Sequence, residues 1–181
     1  MSGVSIIGLI ASLVGIVMGP YLANRFGKKK VYLTAVIIST ALNLLRLLDV
    51  TSMILIYISA LIGGVAGGWM VPVSTSIQAD NTTYVQYKTG KRAEAAIASL
   101  TSFVSKVAQG LGGAIPGYVI AAYGFVTGAS VQPESINTGI ILCALILPLI
   151  FGILGSLIFG TQYTLDQKAV IEMDAKINRN N

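Results

Sequence analysis

The chain has no histidine and a single cysteine, Cys143, among its 181 residues. With no second thiol there is no disulfide within the chain. With no imidazole there is neither a histidine base nor a Cys/His zinc site. Cys143 lies inside an apolar stretch and reads as packing. Charge is also scarce: 10% of residues are Asp, Glu, Lys or Arg, against 54% hydrophobic, well outside the range of soluble domains. No nucleophile–base pair stands out anywhere. Lys88-Thr89-Gly90 matches the K-T-G of serine β-lactamases, but its S-x-x-K and S-D-N partners are absent. The same tripeptide lacks the glycine that a phosphate-binding Walker loop requires. These absences argue against an enzyme, and no protein metal site or resident cofactor is expected.

What is present is apolar and arranged in blocks. Five of them, at about 3–23, 31–48, 53–77, 95–123 and 136–160, approach or exceed the ~20 residues that cross a bilayer. They predict an all-α, polytopic membrane helix bundle over residues 1–160, followed by a polar tail over 161–181. No basic segment precedes the first block and no small-residue cleavage site follows it, so it reads as a span rather than a signal peptide.

The net charge of +5 is not a nucleic-acid signal, because the cations sit in short loops between apolar blocks. Arg25, Lys28, Lys29, Lys30, Lys88, Lys91, Arg92, Lys168, Lys176 and Arg179 fall on one side of the predicted membrane, and Arg46 alone falls on the other. That asymmetry predicts a cell-membrane protein with its N-terminus outside and its C-terminus cytoplasmic.

Within the spans, Gly8, Gly15 and Gly19 make one small-residue face, and Gly63 to Gly68 carry two overlapping GxxxG spacings. Pro72, Pro116 and Pro148 interrupt the third, fourth and fifth spans, freeing the carbonyls of Gly68, Gly112 and Ala144. Such breaks suit helices bent around a pathway, or kinks made for packing. Arg46 and Asp49, at i and i+3, predict an interfacial ion pair. In the tail, Thr164-Leu165-Asp166-Gln167 fits a capping box. Val170, Met173 and Ile177 then share one face, and Glu172 and Lys176 form an i,i+4 pair, giving an amphipathic surface helix.

The stretch from Asp80 to Lys106 concentrates the chemistry. Asp80, Tyr84, Lys88, Arg92 and Glu94 predict a charged cytoplasmic loop which, with Arg25 of the basic turn, would order neighbouring helix ends and gate access. Ordinary positive-inside residues would read the same way. Lys106 follows, about 16 Å into the next helix and close to the middle of a ~30 Å hydrocarbon layer. A lysine there needs water, a partner or a ligand. Ser99, Ser102 and Gln109 share its helical face and Ser105 adjoins it. This strip could meet a polyol or hydrogen-bond to another helix. Trp69, inside the third span, could stack on a sugar ring or simply pack.

Taken in order, Asp80, Tyr84, Lys88-Thr89-Gly90, Arg92, Glu94 and Lys106 resemble the glycoside–pentoside–hexuronide:cation symporters, the melibiose-permease branch of the major facilitator superfamily. The turn Asn24-Arg25-Phe26-Gly27-Lys28-Lys29-Lys30 looks like the basic turn found once in each half of that fold. The chain departs from the family pattern at Thr83 and Gln86, where acidic residues are usual. The resemblance covers only the last five of about twelve helices and would put Lys106 on the eleventh. It implies the C-terminal portion of a sugar:cation symporter working by alternating access and inactive alone. Its partners would be a sugar or glycoside, membrane lipid and the N-terminal helices, and its coupling ion, Na+ or H+, would bind at a site outside this chain. The other reading is a non-transporting membrane protein that assembles with partner helices through its GxxxG faces.

Overall fold

The computed structural model describes residues 2–129 and 131–179. Helix α1 (Ser2–Phe26) passes to α2 (Lys28–Leu48) through the single residue Gly27. That corner needs a φ of +87°, which only glycine adopts without a Cβ penalty. Helix α3 (Met53–Thr89) runs for 37 residues, about 55 Å. It therefore continues well past Ile77, and the charged loop expected after that residue is the last three turns of a helix. The reason is local. No glycine or proline lies between Pro72 and Gly90. The hydroxyls of Thr82 and Thr89 also fold back onto the carbonyls of Gln78 (3.1 Å) and Val85 (2.8 Å), so they do not compete for the helix. Gly90 ends it in the left-handed conformation, its N–H donating to Gln86.

After a short link comes α4 (Glu94–Ala122), then a loop, then α5 (Ser135–Ile141), a π-helical turn (Leu142–Ile146) and α6 (Leu147–Gln162), which together form one apolar segment. The π turn stands directly ahead of Pro148. Proline cannot donate to Ala144, and the Leu147 N–H instead reaches back to Leu142, so the wider turn absorbs the missing bond. Helix α7 (Gln167–Arg179) folds back against the end of α3. Its start differs from the expected capping box: the Asp166 carboxylate, not Thr164, takes the Gln167 N–H at 2.8 Å.

No strand occurs among the described residues. Four segments are long and apolar enough to cross a membrane: α1, α2, α3 and Ser135–Gln162. Helix α4 has the length, at 29 residues, but Ser99, Ser102, Lys106 and Gln109 dilute its apolar character, so the expected fourth span is not among them. The protein is an all-α, multi-pass membrane bundle.

Its tightest packing is between α1 and α3, which run in the same direction and close on glycine. A Cβ at Gly15 would strike the Val65 carbonyl, and one at Gly68 would strike the Ser12 backbone. Gly19 lies against Pro72, and Gly64 against Gly8 and Ala11. Of the two overlapping GxxxG spacings, Gly64–Gly68 makes the crossing, while Gly67 faces open space. Below it Ala23, Val31, Val73, Ile77 and Tyr163 form a buried cluster, with Trp69 and Phe159 packed on it. Helix α4 contributes no buried residue. At its far end Tyr123 packs 3.2 Å from the Cβ position of Gly139, and the Ser135 hydroxyl bonds its carbonyl at 2.8 Å.

Candidate functional site

Two polar regions stand apart in this bundle, one closed within the chain and one open. The closed one centres on Asp80, buried at 6% exposure two turns inside the end of α3. Lys28, the first residue of α2, places its Nζ 2.7 Å from both carboxylate oxygens. The Tyr163 hydroxyl, just past α6, donates to Oδ2 at 3.2 Å. Two charges removed from water in this way hold together only because each oxygen is satisfied. Burial, then the Asp80 charge, then the hydrogen bond to it push the Tyr163 phenol well above its ordinary value. The ring stacks on Phe159 at 4.9 Å, which in turn meets Tyr32 at 4.6 Å. One carboxylate thereby ties the α1–α2 corner, α3 and the α6–α7 link. A cleft of about 300 Å³ opens beside it, between Lys29, Lys30 and the Thr164–Gln167 link.

The other residues expected to gate at this end do not join Asp80. Tyr84 and Lys88 lie on α3, with the Lys88 ammonium 5.9 Å from the Tyr84 ring. Arg25 covers its neighbour Phe26 at 5.4 Å. Arg92 and Glu94 are exposed at the α3–α4 link. The sequence motifs do not point to Tyr163, and they give Lys28 only as one cation of the basic turn. A signal is there: Asp49 and Asp80 are the only acidic residues before Glu94, and Asp49 falls on the side of the predicted membrane away from the basic turn, which leaves Asp80 as that turn's first carboxylate in the sequence.

The open region is the strip on α4. Lys106, Ser99, Ser102, Ser105 and Gln109 are all exposed, and none has a hydrogen-bond or ion-pair partner among the described residues. Trp69 is not brought to them. It packs toward α1 and α2, lining a mainly apolar cleft with Met18, Leu22 and Thr34, and its buried indole N–H has no partner among the described residues. No group of three His, Cys, Asp or Glu suited to a metal ion occurs among the described residues.

Two expected ion pairs do not form. Asp49 spends its carboxylate on the turn into α3, accepting from the Thr51 N–H (3.0 Å), the Thr51 hydroxyl (2.8 Å) and the Ser52 N–H (3.1 Å), which leaves Arg46 without an ion-pair partner among the described residues. Those bonds hold its carboxyl below the usual range. Lys176 sits 5.7 Å from the Tyr87 ring of α3 instead of pairing with Glu172, because docking α7 offers an aromatic face.

The chain belongs to the MFS/sugar transport protein family, whose sequence model matches residues 1–167. It is 28% identical over 138 residues to an isoprimeverose transporter of Lactiplantibacillus pentosus, covering 73% of this chain and 28% of that protein. It is 29% identical over 178 residues to a glucuronide carrier protein homolog of Escherichia coli (strain K12), covering 94% of this chain and 39% of that one. It is 31% identical over 169 residues to the uncharacterized symporter YnaJ of Bacillus subtilis (strain 168), covering 89% and 35%. The family and these names are those of transporters, not enzymes, in keeping with the resemblance read from Asp80 to Lys106. The chain spans roughly a third of the length of these relatives.

Proposed function

We propose that this chain is the C-terminal portion of a sugar or glycoside symporter driven by Na+ or H+, and that transport requires the further helices its relatives possess. The observation that carries this reading is the α4 strip. A lysine near mid-depth, flanked by hydroxyls and an amide on a helix with no buried residue, needs a ligand or other helices to meet it. The relatives' names supply the ligand class, a sugar or glycoside. The coupling ion would bind outside this chain, on the N-terminal helices. In this reading the basic end is cytoplasmic and the N-terminus outside, and the Lys28–Asp80–Tyr163 clasp holds the cytoplasmic ends together during alternating access.

Assembly through GxxxG faces alone is the weaker reading. Gly15, Gly19, Gly64 and Gly68 are used between α1 and α3; of the helical glycines left open, Gly110, Gly112, Gly113 and Gly117 lie on α4 beside the polar strip, and Gly67 and Gly155 stand singly on α3 and α6.

The test is uptake of labelled glycosides into vesicles, with and without a sodium or proton gradient. Vesicles holding this chain alone should accumulate nothing, and co-expression with the upstream helices of a relative should restore uptake. Lys106→Ala should then abolish concentrative uptake while leaving the protein's level in the membrane unchanged. Gradient-driven accumulation by this chain alone would overturn the requirement for further helices, and uptake indifferent to Lys106→Ala would overturn the site.

A further inference from the structure

The end of the bundle opposite the clasp holds a second polar cleft that neither the transport reading nor the clasp employs. Arg46 lies in the last turn of α2, about 27 Å along the axis from Lys28. With Ser39 and Asn43 it follows the i, i+4, i+7 spacing of one helix face. Ser59 of α3 faces them, and Leu42 and Ile56 line the same cleft of about 400 Å³.

None of these four polar side chains has a hydrogen-bond or ion-pair partner among the described residues. The α4 strip also carries free hydroxyls, but Ser99, Ser102 and Ser105 are exposed there, whereas Ser39 and Ser59 are half-buried. The hydroxyls of Ser12, Ser74 and Ser156 bond back to the carbonyl three residues earlier, at 2.8, 3.0 and 2.9 Å, whereas Ser39 and Ser59 stay free. The nearest carboxylate in sequence, Asp49, is saturated by Thr51 and Ser52. Half-buried Arg46, whose guanidinium carries five donors, is left beside an amide and two hydroxyls, all lining one cleft.

We propose that this cleft binds an oxyanion that also carries hydroxyl groups. The Arg46 fork would hold the carboxylate, sulfonate or phosphate, with Asn43, Ser39 and Ser59 bonding the hydroxyls. A free hydroxy acid and the phosphoglycerol headgroup of an anionic lipid share this chemistry. The site stands independently of the transport reading, since it needs only α1, α2 and α3.

The test is arginine-labelled ¹⁵N NMR of the purified chain in neutral detergent. There are four arginines, and Arg46→Lys identifies the Arg46 Nε signal. Methyl β-D-glucuronide should shift that signal saturably, and neutral methyl β-D-glucoside should not. Acetate, an oxyanion without hydroxyls, should bind roughly tenfold more weakly. Asn43→Leu should weaken the glucuronide about tenfold while the signals of Arg25, Arg92 and Arg179 stay in place, showing an intact fold. Nanodiscs of phosphatidylglycerol, compared with phosphatidylcholine, separate the sources. A phosphatidylglycerol-specific shift that glucuronide cannot displace assigns the cleft to lipid, and displacement assigns it to a soluble hydroxy acid. No saturable response to either probe would overturn the proposal, as would an equal response to acetate.

Discussion

Lys28 and Lys106 carry the same charge, yet the chain treats them oppositely. Lys28 begins a helix that packs against α3, and its ammonium is closed onto Asp80 within 2.7 Å. Lys106 stands on α4, where nothing is buried and nothing pairs with it among the described residues. The contrast extends to the surroundings. Beside Lys28 lies the buried apolar cluster of Ala23, Val31, Ile77 and Tyr163, so the dielectric is low and the pair must be complete. Around Lys106 glycines and hydroxyls alike face open space. One half of the molecule is finished by its own sequence, and the other presents surface for something else.

The sharpest way to break that comparison is to make one substitution in both halves. Gly68→Ala puts a methyl group into the Ser12 backbone and should destabilise the purified chain by about 3 kcal/mol. Gly112→Ala meets open space and should be neutral, or stabilising by up to ~1 kcal/mol through helix propensity. Unfolding by detergent titration reads both. Equal losses at the two positions would mean that α4 is packed after all. A loss at Gly112 confined to the protein assembled with upstream helices would show where those helices dock.

Next in size is the clasp. Asp80→Ala strands the Lys28 ammonium and should cost about 3 kcal/mol or slightly less, since the lysine keeps some water. Tyr163→Phe removes a single bond and should cost ~1 kcal/mol. The two differ in their pH signature. The Tyr163 phenol is raised in the folded chain, so its stabilising contribution is complete below its ordinary value of 10 and is lost as pH rises above that. Thermal unfolding followed upward from neutral pH should show an alkaline decline in the parent chain that Tyr163→Phe abolishes. An identical decline in both would place the titrating group elsewhere.

Much of this was legible in the sequence, for identifiable reasons. Blocks of apolar residues fix a helical membrane bundle because hydrocarbon allows few other ways to satisfy backbone groups. The small-residue faces on α1 and α3 were visible because only glycine permits such an approach, although the choice of Gly64–Gly68 over Gly63–Gly67 depends on helix rotation. Asp80 to Thr89 has the polarity of a loop, yet it holds no breaker before Gly90, and the helix runs through it. Partner choice was the least legible. Arg46–Asp49 and Glu172–Lys176 have the right spacing, but the turn into α3 competes for Asp49 and the Tyr87 ring competes for Lys176. Spacing says which groups can meet, and only the tertiary arrangement says which do.

Asp49 gives the smallest effect and tests that last point. Its carboxyl is held below its ordinary value of 3.8, first by the Thr51 hydroxyl, so the stabilisation it lends to the start of α3 is present above that value and fades as pH falls through its lower folded value. Between pH ~5 and ~2 the parent chain should therefore lose slightly more stability than Asp49→Asn, whose amide does not titrate. Arg46→Gln should leave that acid limb unchanged, because Arg46 is not the partner. If Arg46→Gln instead removed the limb, the ion pair expected from spacing would exist in solution, and the cleft at Arg46 would no longer have a free guanidinium to offer.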